Sequence, residues 1–146
     1  MIRFGRLPKD IHERIDSLSG LFQGESNIIF AYLFGGLLRE RKSTLSDVDI
    51  AVFVRNMKKL DHLGLFAKIT DMLHTDEVDL VVLNNAPLSL AGRILANRRI
   101  LIDKEPFVRY RYESTHPEEI FRFYGEGKGC HCEEIRHWLT NFCWNP

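Results

Sequence analysis

The chain has 146 residues, 20 Lys+Arg against 20 Asp+Glu, and 45% hydrophobic residues. That length fits one domain, and the balanced charge with an ordinary apolar content excludes a disordered acidic or basic chain. A formal net charge of zero argues against a protein that grips long nucleic acid by neutralising phosphates, and no run approaches the roughly 18 apolar residues of a membrane span.

Met1 to Arg6 has neither an apolar core nor a small-residue cleavage site, so a cytoplasmic location is expected. Pro8-Lys9-Asp10 opens a helix to about Leu21, with Ile11, Ile15, Leu18 and Phe22 at helical spacing. Asn27 to Phe34 is a continuous apolar run that suits a strand buried on both faces. Gly35-Gly36 breaks it, and Leu37 to Arg41 reads as a short helix before the polar loop Lys42 to Ser46.

Asp47 to Val54 is a second strand. Leu60 to His74 fits a helix with Leu63, Phe66, Ile69 and Leu73 on one side. Glu77 to Leu83 is a third strand, Pro87 to Asn97 a helix, and Arg99 to Asp103 a short strand. Pro106 to Tyr124 reads as helical, interrupted by Pro117. Gly125 to Gly129 is a break, and Cys132 to Phe142 suits a last short helix. The alternation predicts an α/β (α+β) domain over residues 1–124 and a C-terminal tail over 125–146 with a short docking helix.

Strands normally avoid Asp. Yet the second strand opens Asp47-Val48-Asp49, and the third carries Asp79. Alternation points Asp47 and Asp49 to one face, leaving Val48, Ile50 and Val52 for the core. If the two strands are neighbours, Asp79 joins that face. Gathered carboxylates need protons or a counter-ion, and oxygen ligands without His or Cys suit Mg²⁺. Upstream, Gly35 and Gly36 let the backbone approach an anion at a helix start, and Arg39 lies one turn further on. Together these parts suit metal-assisted phosphoryl or nucleotidyl transfer. Taken singly they are weaker: Gly-Gly is usually a turn, and Asp79 alone also suits a strand cap near Thr75 and Asp76.

Gly35-Gly36, ten residues, then Asp47-Val48-Asp49 resembles the Gly-Ser, ten-residue spacer, Asp-x-Asp signature of minimal nucleotidyltransferases of the DNA polymerase β superfamily. Arg39 and Ser46 also match common positions of that pattern, and Asp79 falls where the third carboxylate is expected. The resemblance covers roughly Ile11 to Phe123. It implies a small mixed sheet flanked by helices. Asp47, Asp49 and Asp79 would be the metal and catalytic residues, with Asp79 helping to activate the acceptor. Gly35, Gly36, Arg39 and Ser46 would bind the nucleotide. AMP would pass from ATP to a hydroxyl with two Mg²⁺ ions, releasing pyrophosphate. Stand-alone members of this size resemble MntA-type antitoxins, which adenylylate a tyrosine of a HEPN-type toxin partner.

Gly36 departs from the family's Ser or Thr. Loss of one hydrogen bond to a charged group costs ~1.5–3 kcal/mol, roughly 10- to 100-fold in rate or affinity. A second reading is therefore an inactive or weak member that neutralises its partner by binding alone. A third is nucleotidyl transfer to a small molecule or an RNA end, although the short remainder after Asp79 favours a protein acceptor. Cys130, His131, Cys132, His137 and Cys143 do not match a standard zinc spacing. Their odd cysteine count suits reduced thiols. Trp138, Phe142 and Trp144 suit docking on the domain or a partner. Arg98-Arg99 and Arg109 to Tyr112 read as a solvated basic face over packed tyrosines, and Tyr32 as core.

Overall fold

The structure, a computed structural model, describes residues 7–38 and 47–115. Among these residues the chain forms α1 (Ile11–Gly24), β1 (Ile28–Phe34), β2 (Val48–Val54), α2 (His62–Leu73), β3 (Val78–Val82), α3 (Leu88–Ala96), β4 (Arg98–Asp103) and α4 (Pro106–Ser114). The sheet order is β3-β2-β1-β4. β1 runs antiparallel to both β2 and β4, whereas β2 and β3 are parallel. A parallel pair needs a crossover, and α2 supplies it. The result is the mixed sheet flanked by helices that the family resemblance implies.

Both faces of the sheet are covered. On one, Ile11, Ile15, Leu18 and Phe22 of α1 pack with Leu65, Ile69 and Leu73 of α2 against Leu33, Val48, Ile50 and Val52. On the other, Ile94 and Leu95 of α3 pack with Phe30, Tyr32 and Ala51, joined by Val108 and Tyr112 of α4. The α1 stripe matches its predicted positions. The α2 stripe differs at one: Leu63 is 80% exposed, and Leu65 is buried instead. Leu65, Ile69 and Leu73 follow at four-residue intervals, so they share one side of the helix. The side-chain oxygen of Asp61 accepts the Gly64 N–H at 3.0 Å and caps α2.

β1 keeps seven apolar residues buried or nearly so because it is central in the sheet. Its pairing with β2 is irregular between Ile28 and Phe30. That irregularity turns successive residues Ile29 and Phe30 to the same face. At the far end of β2, the Asn84 side chain both accepts from Val54 N–H at 2.9 Å and donates to Val54 C=O at 2.8 Å. It thereby takes the place of a strand neighbour. No described helix is long and apolar enough to cross a membrane.

The basic face expected at Arg98 and Arg109 is largely a buried ionic cluster. Glu113 Oε1 accepts from Tyr32 Oη at 2.6 Å, Arg98 at 2.7 Å and Arg109 at 3.0 Å. Arg109 also pairs with Asp103 at 2.7 Å. Burial disfavours the Arg109 cation, yet the Asp103 hydrogen bond and the Glu113 charge outweigh it and raise its pKa. Burial and then the Glu113 charge push the Tyr32 phenol far up, so it stays a donor. Two cations thus balance two anions inside the α4 face. The helices predicted over 116–124 and 132–142, residues 39–41 of the short helix predicted from Leu37, the residues Arg39 and Ser46, the boundary at 124/125 and the cysteine-containing tail lie outside the described residues.

Breaking such a cluster from one side strands its remaining charges. Glu113→Ala is expected to lower unfolding free energy by about 3 kcal/mol. Chemical denaturation checks this, with exposed Leu63→Ala changing stability by less than about 0.5 kcal/mol as the control.

Candidate functional site

In the parallel ladder Asp49 lies directly opposite Asp79. Partners in register share a face, so the two carboxyls meet, and a hydrogen bond joins them. Asp47, one residue before β2, adds its charge to the same place. The turn into β3 is closed instead by Thr75, whose hydroxyl accepts the Glu77 N–H at 3.1 Å.

The other side of the site is the turn after β1. Gly35 has φ 82°, in the left-handed region. A methyl there would overlap Asp49 Oδ2 and come within 2.9 Å of its carboxyl carbon. The missing side chain therefore fulfils two needs, reversing the backbone and seating the Asp49 carboxylate against it. Gly36 donates its N–H to Asp49. Leu38 N–H reaches Gly35 C=O at 3.1 Å, so the chain makes a single 3₁₀ turn over Gly36–Leu38. The sequence reading placed an α-helix start here. The tighter turn follows from that three-residue bond after a left-handed glycine.

Burial, then the charges of Asp79 and Asp47 and the hydrogen bond with Asp79, push the Asp49 carboxyl up to about 6. The Gly36 N–H pulls the other way but does not offset them. Among the described residues no group of three His, Cys, Asp or Glu side chains is arranged as a metal cage. Two facing carboxylates still suit Mg²⁺, which keeps several waters and shares its shell with phosphate. The raised proton affinity of Asp49 marks the place where a cation would relieve the charge. The structure thus brings together Asp49, Asp79, Gly35 and Gly36, with Asp47 close by.

The reading from sequence missed the buried Glu113 cluster on the same face of the sheet. Its signals were the Arg109–Glu113 spacing of four on a helix and a tyrosine inside an apolar strand, which needs a partner for its hydroxyl.

Carboxylates gathered against a glycine turn at one end of a mixed sheet suit the transfer of a phosphorylated group. The family model described as Polymerase beta, Nucleotidyltransferase matches residues 16–107, and the chain belongs to that family. Its fold is also that of chains in several solved complexes. One holds tri-AMPylated HEPN toxin from Shewanella oneidensis with MNT antitoxin; it is 18% identical, with TM-score 0.51, covering 90% of this chain and 91% of that one. Another is a toxin–antitoxin complex with AMP-PNP, at 21% identity and TM-score 0.55, covering 88% and 95%. A third is the MntA–HepT toxin–antitoxin complex, at 22% identity and TM-score 0.52, covering 89% and 96%. At such identities the likeness shows the fold. The comparison with curated proteins gives no significant match.

Two outcomes follow from this geometry. Gly35→Ala meets both the left-handed backbone and the Asp49 carboxyl, and is expected to cost about 1–2 kcal/mol in denaturation from the backbone alone. In chelator, Asp49 binds more protons folded than unfolded between pH 4 and 6. The wild type therefore loses stability as pH rises through that window and levels off above it. Asp49→Asn lacks this loss. Its melting advantage should be absent near pH 4 and reach on the order of 1 kcal/mol above pH 6, allowing for solvent screening.

Proposed function

We propose that the chain is a nucleotidyltransferase antitoxin that moves AMP from ATP to a hydroxyl of a HEPN-type toxin, a tyrosine being the acceptor side chain. The observation that carries this reading is the Asp49–Asp79 pair seated against Gly35-Gly36. The family match supports the reaction type. The complexes of like fold, one with AMPylated HEPN toxin and one with AMP-PNP, support the partner and the donor.

In this reading Asp47, Asp49 and Asp79 would hold two Mg²⁺ ions, which would neutralise phosphate charge. Asp79, separated from the glycine turn by β2, would take the acceptor side and help remove its proton. Gly35 and Gly36 offer backbone to the phosphates, and Arg39 and Ser46 complete the nucleotide set. The protein would act in the cytoplasm, where reduced thiols and nucleotides coexist.

Gly36 bears on the alternative in which the chain binds its partner without modifying it. Its N–H already serves Asp49, so the absent hydroxyl costs a contact to phosphate without dismantling the site. The full chain, Mg²⁺, ATP labelled on its α-phosphate and a HEPN-type protein that co-purifies with it form the test. Label should move to a tyrosine of that protein, fall at least about 10³-fold with Asp49→Asn or Asp79→Asn, and rise about tenfold with Gly36→Ser. A complex that persists unlabelled, and is unaffected by the Asp substitutions, would establish binding alone. Label on RNA or a small molecule would move the acceptor to another class.

A further inference from the structure

Across the sheet, one register row runs Asp79, Asp49, Phe34 and Arg98. Asp79 faces Asp49, Asp49 faces Phe34, and Phe34 faces Arg98. Ladder partners project to the same side, so an aromatic ring stands next to the carboxylates, on the flank opposite Asp79. Phe34 is also the residue before Gly35, where the phosphate-approaching turn begins. It ends a same-face series in which Phe30 and Tyr32 are buried. Phe34 is half-buried and rests on the edge of the α3–α4 core.

Beyond Phe34, Arg98 is committed elsewhere. Its guanidinium donates to Leu95 C=O at 2.6 Å and to Glu113 at 2.7 Å, and lies over the Tyr32 ring. Among the described strand residues, the neighbour of Asp49 on this flank is therefore an aromatic ring and not a cation. Such a face suits a flat, weakly polar group better than a phosphate.

We infer that Phe34 is the wall against which the nucleoside of the donor nucleotide lies, with its phosphates on the glycine turn. This rests on the nucleotidyltransferase reading and adds a donor-binding residue to it. The acceptor would occupy the Asp79 flank, so Phe34 would hold the nucleoside of the donor and leave the acceptor untouched. Any base has a face to stack, so adenine and guanine would be held alike by this ring.

Calorimetric titration of the full chain with Mg²⁺·ATP and, separately, Mg²⁺·tripolyphosphate tests this without the partner. Phe34→Ala and the gentler Phe34→Leu should weaken ATP about tenfold, as loss of a base–aromatic stack does. Both should leave tripolyphosphate unchanged, and Phe34→Tyr should restore ATP affinity. Equal weakening of both ligands would show a ring that only supports the site, and overturn the inference. So would unchanged ATP affinity with a raised KM for the acceptor protein. Failure of the wild type to bind tripolyphosphate would instead overturn the nucleotidyltransferase reading, and this inference with it.

Discussion

The constraint on which the site depends is the contact between a carboxylate and a backbone that has no side chain to keep it away. Asp49 sits where a Cβ on Gly35 would be. That contact fixes the spacing between β1 and β2 at the mouth of the site. It also holds an acid in a half-buried place beside two others, so the acid binds protons far more readily than a solvated one. Free energy is stored there that a bound cation would release. The site is therefore an unfavourable element of the fold that the two apolar layers sustain.

The same sheet face holds a second set of charges with opposite character. Glu113 and Asp103 each meet arginine, and Tyr32 fills another acceptor position on Glu113. That cluster is electrically closed and fastens α4 to β1 and β4. Asp49 instead lies among acids, and of the groups that shift it only the Gly36 N–H favours its charged form. One cluster is built for permanence, and the other is poised for a ligand of opposite charge. The contrast follows from partner choice, since both sets lie on the same sheet.

Most of the architecture was readable because its signals are local. The α1 stripe, the all-apolar β1 and the alternation in β2 each depend on periods that a single segment displays. The Gly-Gly and Asp-x-Asp spacing also lies within one stretch of chain. What escaped reading depends on segments distant in sequence. Tyr32 and Glu113 are 81 positions apart, so no local pattern announces that the phenol needs that carboxylate. Leu63 and Leu65 are equally apolar, and only the direction in which α2 crosses the sheet decides which is buried. The left-handed backbone at Gly35 was a possibility inherent in glycine, but its use to seat Asp49 required the antiparallel register of β1 on β2.

The two charge clusters also depend on each other. Arg98 stands in the same row as Asp49, two strands away, or about 10 Å of sheet. A long, flexible guanidinium at that range beside a carboxylate pair would form an ion pair if nothing else held it. Such a pair would discharge the site and leave less for a cation to gain. Glu113 and the Leu95 carbonyl hold Arg98 back, and the Tyr32 ring beneath it fixes its direction. Among the described residues, the acid on α4 thus protects the acids on β2 and β3 by occupying the arginine of their own register row. A reactive concentration of negative charge is kept from that cation because the cation is buried with a carboxylate of its own.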